Sequence, residues 1–288
     1  MVNLFIYIFI FLFGLCIGSF LNCIIYRLSI EMAEDSPRPL STGGEGNRGF
    51  VAGHSYCPHC QHILKPKDLI PVLSYMFLKG KCRYCGKSIS IQYPLIELAT
   101  GLLFVFLFWH LSFGLDLERF GIIWILNFIF YLIIACFLII IFVYDFKHYI
   151  IPDKVIYPAI IISFIYFFIN NWNFMFSAQI ISKFSNFIFP AILASGFFLL
   201  IVLASRGLWM GMGDVKFAFL MGLILGYPNI LLGLFLSFSF GAIIGMILIL
   251  RRKKTLKSEM PFAPFLVLGT FFAFFWGDKI MNWYLNLI

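Results

Sequence analysis

Gly211-Met212-Gly213-Asp214-Val215-Lys216 sets a carboxylate behind two glycines at the mouth of an apolar run. Taking such an acid toward hydrocarbon costs about 3 kcal/mol or more, so its presence asks for a reason. A catalytic carboxylate is one answer, with Gly211 and Gly213 removing bulk so that a second helix or an extended backbone can come close. Helix capping is the plainer one, because Asp is a common N-cap and Gly is frequent in the turn before it. Asp145, in Tyr144-Asp145-Phe146-Lys147-His148, closes an earlier apolar run. Two further runs lie between the acids, and an even number of crossings returns a chain to the same membrane face. Both acids are therefore expected near one surface. Carboxylates brought within a few ångströms share a proton, so one can act as base on a water while the other polarises a carbonyl as acid. That is the chemistry of aspartyl proteolysis. An ion or proton relay is the rival use of such a pair.

Cys57-Pro58-His59-Cys60 and Cys82-Arg83-Tyr84-Cys85 are two Cys-x-x-Cys knuckles separated by 21 residues. Each presents two thiolates to one ion, and four complete a closed tetrahedral site suited to structural zinc. His54, His59 and His62 are alternative ligands that four thiolates make unnecessary. Disulfides compete with this reading, but the basic loop around the knuckles points to a reducing compartment. A thioredoxin-like redox pair would need a βαβ context, which is missing. Cys16, Cys23 and Cys136 fall in apolar runs and read as small buried hydrophobes.

The elements that must position these groups are membrane spans. The chain has 288 residues, 62% hydrophobic and only 12% charged, too little polar material to coat a globule. Its mean hydropathy is +0.97. An all-α polytopic membrane protein of about eight transmembrane helices with a small cytoplasmic loop domain is predicted. No charged residue precedes Arg27, so the first segment lacks the basic start of a cleavable signal peptide and reads as a retained span. The net charge of +8 gathers in loops beside spans, which speaks for membrane orientation and against nucleic acid as partner.

Spans are predicted at about residues 3–26, 94–113, 121–144, 155–170, 187–205, 215–226 and 229–250, with an eighth starting at Pro261-Phe262-Ala263-Pro264. Asn22, near the end of the first, is expected to bond to a neighbour. The polar segment 27–93 carries nine Lys/Arg, and Arg251-Arg252-Lys253-Lys254 follows the seventh span. By the positive-inside rule both loops are cytoplasmic, which puts both termini outside. Residues 36–53, rich in Gly, Ser and Pro, read as a flexible connection. The division expected is a first helix over 1–26, a four-cysteine loop domain over 27–93 and a helix bundle over 94–288. Pro94 and Glu97 fall in the first turns of the second span, where an acid also favours the helix dipole. Asp153 reads as the N-cap of the fourth. Residues 173–186 suit either an interfacial segment or part of the fifth span. Lys216 reads as a snorkelling cation or as a group holding substrate or the charge of the acids.

Asp145 followed by Ile151-Pro152-Asp153, the Gly211-x-Gly213-Asp214-x-Lys216 turn, Gly18-Ser19-Phe20-Leu21-Asn22 with Tyr26-Arg27, and the knuckles ahead of Tyr93-Pro94-Leu95-Ile96-Glu97 together resemble the bacterial type IV prepilin peptidases. Pro261-Phe262-Ala263-Pro264-Phe265-Leu266-Val267-Leu268-Gly269 is similar to that family too, and the matches run in order from about residue 14 to 269. The resemblance implies a bifunctional enzyme of the bacterial cytoplasmic (inner) membrane. Such an enzyme cuts the basic leader from prepilins and pseudopilins at the cytoplasmic face and methylates the new N-terminal residue with S-adenosylmethionine. It places the aspartyl pair on Asp145 and Asp214. It assigns Cys57, Cys60, Cys82 and Cys85 to a zinc-binding domain associated with methylation, and leaves the role of Glu97 open. The polar insertion at about residues 31–50 and Ala263 in place of a more usual Gly depart from the family pattern.

Three other readings stay in view. A presenilin-like intramembrane protease also pairs Tyr-Asp with Gly-x-Gly-Asp, but the four-cysteine loop and the Ile151-Pro152-Asp153 turn argue against it. A proton-coupled transporter would show inverted repeats and acids at the bilayer midplane. A zinc-dependent assembly factor without catalysis would use both acids as caps. No Rossmann-like glycine fingerprint marks a site for S-adenosylmethionine.

Overall fold

The computed structural model of the protein describes residues 2–34, 55–112, 121–172, 179–252 and 260–287. The Gly- and Pro-rich approach to the knuckles, most of the insertion at 31–50, His54 and the Lys253-Lys254 pair lie outside these. The described residues form α1 (Val2–Glu34), a short 3-10 turn (Pro66–Asp68), α2 (Leu73–Phe77), α3 (Gln92–Ser112), α4 (Ile122–His148), α5 (Asp153–Asn170), α6 (Gln179–Ser205), α7 (Met212–Leu225), α8 (Asn229–Leu250) and α9 (Ala263–Leu285). Strand pairing among them is confined to two isolated bridges. Seven helices, all but α2 and α7, are long and apolar enough to cross a membrane. The chain divides into two compact units, Met1–Ile140 and Ile141–Ile288, with α4 running from the first into the second.

In the first unit α1 and α3 pack along a seam of small residues. A Cβ on Gly14 would lie 2.7 Å from the Cα of Gly101, and one on Gly18 would lie 2.7 Å from the Cα of Glu97. Hydrogen alone at these positions lets the two backbones meet, which suits helices that lack a hydrophobic driving force in lipid. Asn22 is buried in the same seam and donates from Nδ2 to the Tyr93 carbonyl at 3.1 Å, the neighbour expected for it. α1 continues eight residues past the predicted end at residue 26, because no Gly or Pro occurs between Ser19 and Glu34 to stop it.

In the second unit α7 packs against α5, α6, α8 and α9. Phe217, Ala218, Leu220 and Met221 are fully buried, so this helix is apolar all round because protein surrounds it. Its 14 residues rise only about 21 Å, short of a hydrocarbon core of about 30 Å. A helix screened from lipid by its neighbours can be that short. Glycine ends it on both sides, with Gly211 as N-cap and Gly226 at φ 67° as C-cap. Gly222 lies directly on the backbone of Ala191 in α6, where any side chain would collide. Of the ambiguous stretch 173–186, residues 179–186 belong to α6 as one continuous helix, and residues 173–178 lie outside the described residues.

Candidate active site and metal centre

Asp145 sits in the last turn of α4, 5% exposed, beside the buried Tyr144. Its own helix offers it carbonyl ends, an unfavourable setting for a carboxylate. The start of α9 corrects this. Ala263, the first residue of α9, donates its N–H to Asp145 Oδ2 at 3.1 Å. First-turn N–H groups have no partner inside their own helix, and Pro264 next to it has none to give, so Ala263 is the natural donor. Asp145 thereby bridges the C-terminal end of one helix and the N-terminal end of another.

Asp214 is the third residue of α7, in the first turn after the N-cap Gly211. The N-cap role weighed for Asp214 from sequence falls to Gly211, and Asp214 stands in the first turn, where a carboxylate still favours the helix dipole. Asp145 and Asp214 both belong to the second compact unit. The turn after α4 and the start of α5 meet the start of α7, through Ile151 at Gly213 and through Asp153 at Lys216. A Cβ on Gly213 would meet the Ile151 side chain at 3.1 Å, so this glycine makes room for the turn. A Cβ on Gly211 would find only the Gly213 nitrogen, at 3.9 Å, so that position faces open space. The two glycines, alike in sequence, do different work.

Lys216 Nζ pairs with Asp153 Oδ1 at 2.6 Å and lies over the Tyr157 ring, 4.9 Å from its centroid. Asp153 is not the N-cap predicted for α5. Pro152, with extended backbone at φ −72° and ψ 127°, takes that place, and Asp153 as first helical residue is free to reach Lys216. The Lys216 ammonium is thus engaged by α5, and the N-termini of α5 and α7 are tied together beside Asp214.

In the first unit Glu97 is 7% exposed, and its Oε2 accepts the N–H of Val72 at 2.7 Å. Val72 lies in the stretch between the two knuckles at φ 60°, a conformation a β-branched residue rarely adopts. Nothing in the sequence paired Glu97 with this position, since a backbone N–H leaves no mark on residue type.

The four knuckle sulfurs of Cys57, Cys60, Cys82 and Cys85 all lie within 4.8 Å of one another, with Cys57 Sγ and Cys85 Sγ at 3.9 Å. A tetrahedron with Zn–S bonds of about 2.3 Å has sulfurs about 3.8 Å apart, so the arrangement fits zinc. Both knuckles use the same backbone turn. Cys57 donates to His62 O at 3.0 Å and Cys82 to Lys87 O at 2.8 Å, with positive φ at the matching Gln61 and Gly86. The N–H groups of Cys85 and Tyr84 favour the Cys82 thiolate and hold that thiol below its ordinary range. Asp68 ties the strap between the knuckles, residues 61–81, to the second knuckle by accepting from Arg83 Nε at 2.6 Å and from the Tyr84 hydroxyl at 3.1 Å. Burial raises its carboxyl, but these bonds and the Lys65 N–H outweigh it and hold the group below the usual range.

Comparison with known proteins follows this division. Residues 12–111 match the family described as "Bacterial Peptidase A24 N-terminal domain", and residues 132–246 match the "Type IV leader peptidase family". A protein of Stutzerimonas stutzeri named "Prepilin leader peptidase/N-methyltransferase" is 31% identical over 95% of this chain and 91% of its own. A Bacillus subtilis protein of the same name is 30% identical over 96% of this chain and 97% of its own. One of Pseudomonas aeruginosa, also so named, is 30% identical over 96% and 92%. No solved structure matches the chain. With relatives aligned over almost their whole length, the chain belongs to the type IV leader peptidase family.

Proposed function

We propose that this protein is a membrane aspartyl endopeptidase that removes the leader peptide of type IV prepilins or pseudopilins and N-methylates the residue so exposed. The observation that carries the reading is that the turn following Asp145 packs on the start of α7, which carries Asp214, through Ile151 against Gly213 and Asp153 paired with Lys216, while the Ala263 N–H holds Asp145. Near-full-length relatives named for both activities support it. In this reading one aspartate, as carboxylate, takes a proton from a water whose oxygen attacks the scissile carbonyl. The other, as acid, protonates the carbonyl oxygen. Collapse of the resulting diol breaks the C–N bond, and the leaving nitrogen takes up a proton from the pair. Ala263 fixes which way Asp145 presents its second oxygen, and the open side of Gly211 is the approach for the pilin backbone.

Cys57, Cys60, Cys82 and Cys85 would hold a structural zinc that closes the loop between α1 and α3. S-adenosylmethionine would supply the methyl group to the new N-terminal amine, a reaction separate from the hydrolysis at the two acids. We place the protein in the bacterial inner membrane with Asp145 and Asp214 facing the cytoplasm. The basic loops after α1 and α8 support this orientation. It puts both termini outside and has α7 carry the chain across within the shield of its neighbours. A basic leader held in the cytoplasm and an apolar pilin stem in the bilayer would bring the scissile bond to the interface. Cleavage of a leader-bearing prepilin by the wild type, Asp145→Asn and Asp214→Asn tests the assignment. Both variants are expected to lose cleavage by at least about a thousandfold, and full activity in either sinks the pair.

A further inference from the structure

The strap between the two cysteine knuckles exposes an unusual amount of apolar surface for a polar loop. Leu69, Ile70, Leu73, Met76 and Phe77 are all exposed, Met76 at 65% and Phe77 at 81%. Exposed lysines frame them on both sides, Lys65 and Lys67 before and Lys79 and Lys81 after. Apolar side chains ringed by cations are the composition of an element that lies in a membrane interface.

The position of the strap agrees. Val72, in its middle, is fastened to Glu97 Oε2 at 2.7 Å. Glu97 is five residues into α3, so the strap reaches about 7 Å along that helix from its first residue Gln92. Leu95 and Leu98 at the same level of α3 are exposed, as side chains directed to lipid would be. Glu97 thus holds the strap down at the end of a membrane span, level with lipid-facing leucines.

We propose that residues 69–77 form a membrane-surface anchor: Leu73, Met76 and Phe77 enter the boundary between headgroups and acyl chains, and the flanking lysines contact anionic lipid headgroups. The charge pattern selects this occupant. A second copy of the chain would bring the lysines of two straps together, whereas an anionic bilayer meets them with opposite charge at the depth Glu97 sets. The anchor adds a third attachment to a loop otherwise held by α1 and α3, and so fixes the height of the knuckles above the membrane.

Tryptic cleavage at Lys67 and Lys79 of the full chain in nanodiscs tests this, with one copy per disc and zinc content measured alongside. In discs containing phosphatidylglycerol the wild type is expected to be cut about tenfold more slowly than in discs of phosphatidylcholine alone. The double variant Met76→Asp/Phe77→Asp, with zinc retained, should lose that protection. Cleavage indifferent to lipid charge overturns the proposal. So does protection seen only with two copies per disc, or only after a prepilin is added. Should the double variant lose zinc, a benzophenone amino acid replacing Phe77 decides in the otherwise intact protein. Photolysis then joins it to lipid if the anchor is real, and to protein if it is not.

Discussion

Asp145 Oδ2 accepts the N–H of Ala263 at 3.1 Å, across 118 positions of sequence, so the orientation of one acid depends on where α9 begins. Ala263 is fully buried, which leaves no room beside that bond.

Bulk at residue 263 should therefore be costly and its removal harmless. Ala263→Leu overpacks the start of α9 by about 1–3 kcal/mol and is expected to slow prepilin cleavage tenfold or more. Ala263→Gly keeps the N–H and is expected to cleave at close to the wild-type rate. Steady-state cleavage of both variants, compared at equal amounts of folded protein, checks the pair.

Gly211 and Gly213 should separate in kinetics. A methyl on Gly213 presses on Ile151, so Gly213→Ala is expected to displace Asp214 and lower kcat with little change in KM. Position 211 faces open space, so Gly211→Trp is expected to leave the helix ends in place while obstructing substrate, raising KM. Equal kcat and KM effects at both positions would contradict this division.

The Lys216–Asp153 pair is half in water, with side-chain exposures of 26% and 59%, and such pairs are worth at most about 1 kcal/mol. Lys216→Met is accordingly expected to reduce cleavage less than about fivefold, and the charge-reversed double variant Lys216→Asp/Asp153→Lys should recover part of the loss. A large rise in KM unrelieved by reversal would mean instead that Lys216 holds substrate.

Metal removal should act on one activity before the other. Cys57→Ser or Cys82→Ser is expected to lose bound zinc, read by elemental analysis, and to impair methylation more than cleavage, because the four sulfurs lie in the first unit and both aspartates in the second. Unchanged zinc content in both variants would refute the four-thiolate site.

Much of this protein could be read before folding. Membrane class followed from composition, because so few charged residues cannot coat a globule. That Cys57, Cys60, Cys82 and Cys85 gather as a set able to hold a metal followed from spacing, since two turns of the same local form place two thiols each whatever surrounds them. The expectation that Asp145 and Asp214 share a face followed from counting crossings, which needs no coordinates. What the chain order could not show was partnership through the backbone. Ala263 and Val72 act through N–H groups that every residue but proline carries, so no residue type marks them as partners of Asp145 and Glu97. Nor could it tell Gly211 from Gly213, because glycine is silent about whether its empty side faces a neighbouring turn or open space. The exchange of Asp153 from cap to partner of Lys216 likewise waited on where α5 and α7 come together. Asp214 was legible as an acid at a helix start; that Gly211 takes the cap, and that the turn after Asp145 packs on this helix start at Gly213, was decided by packing.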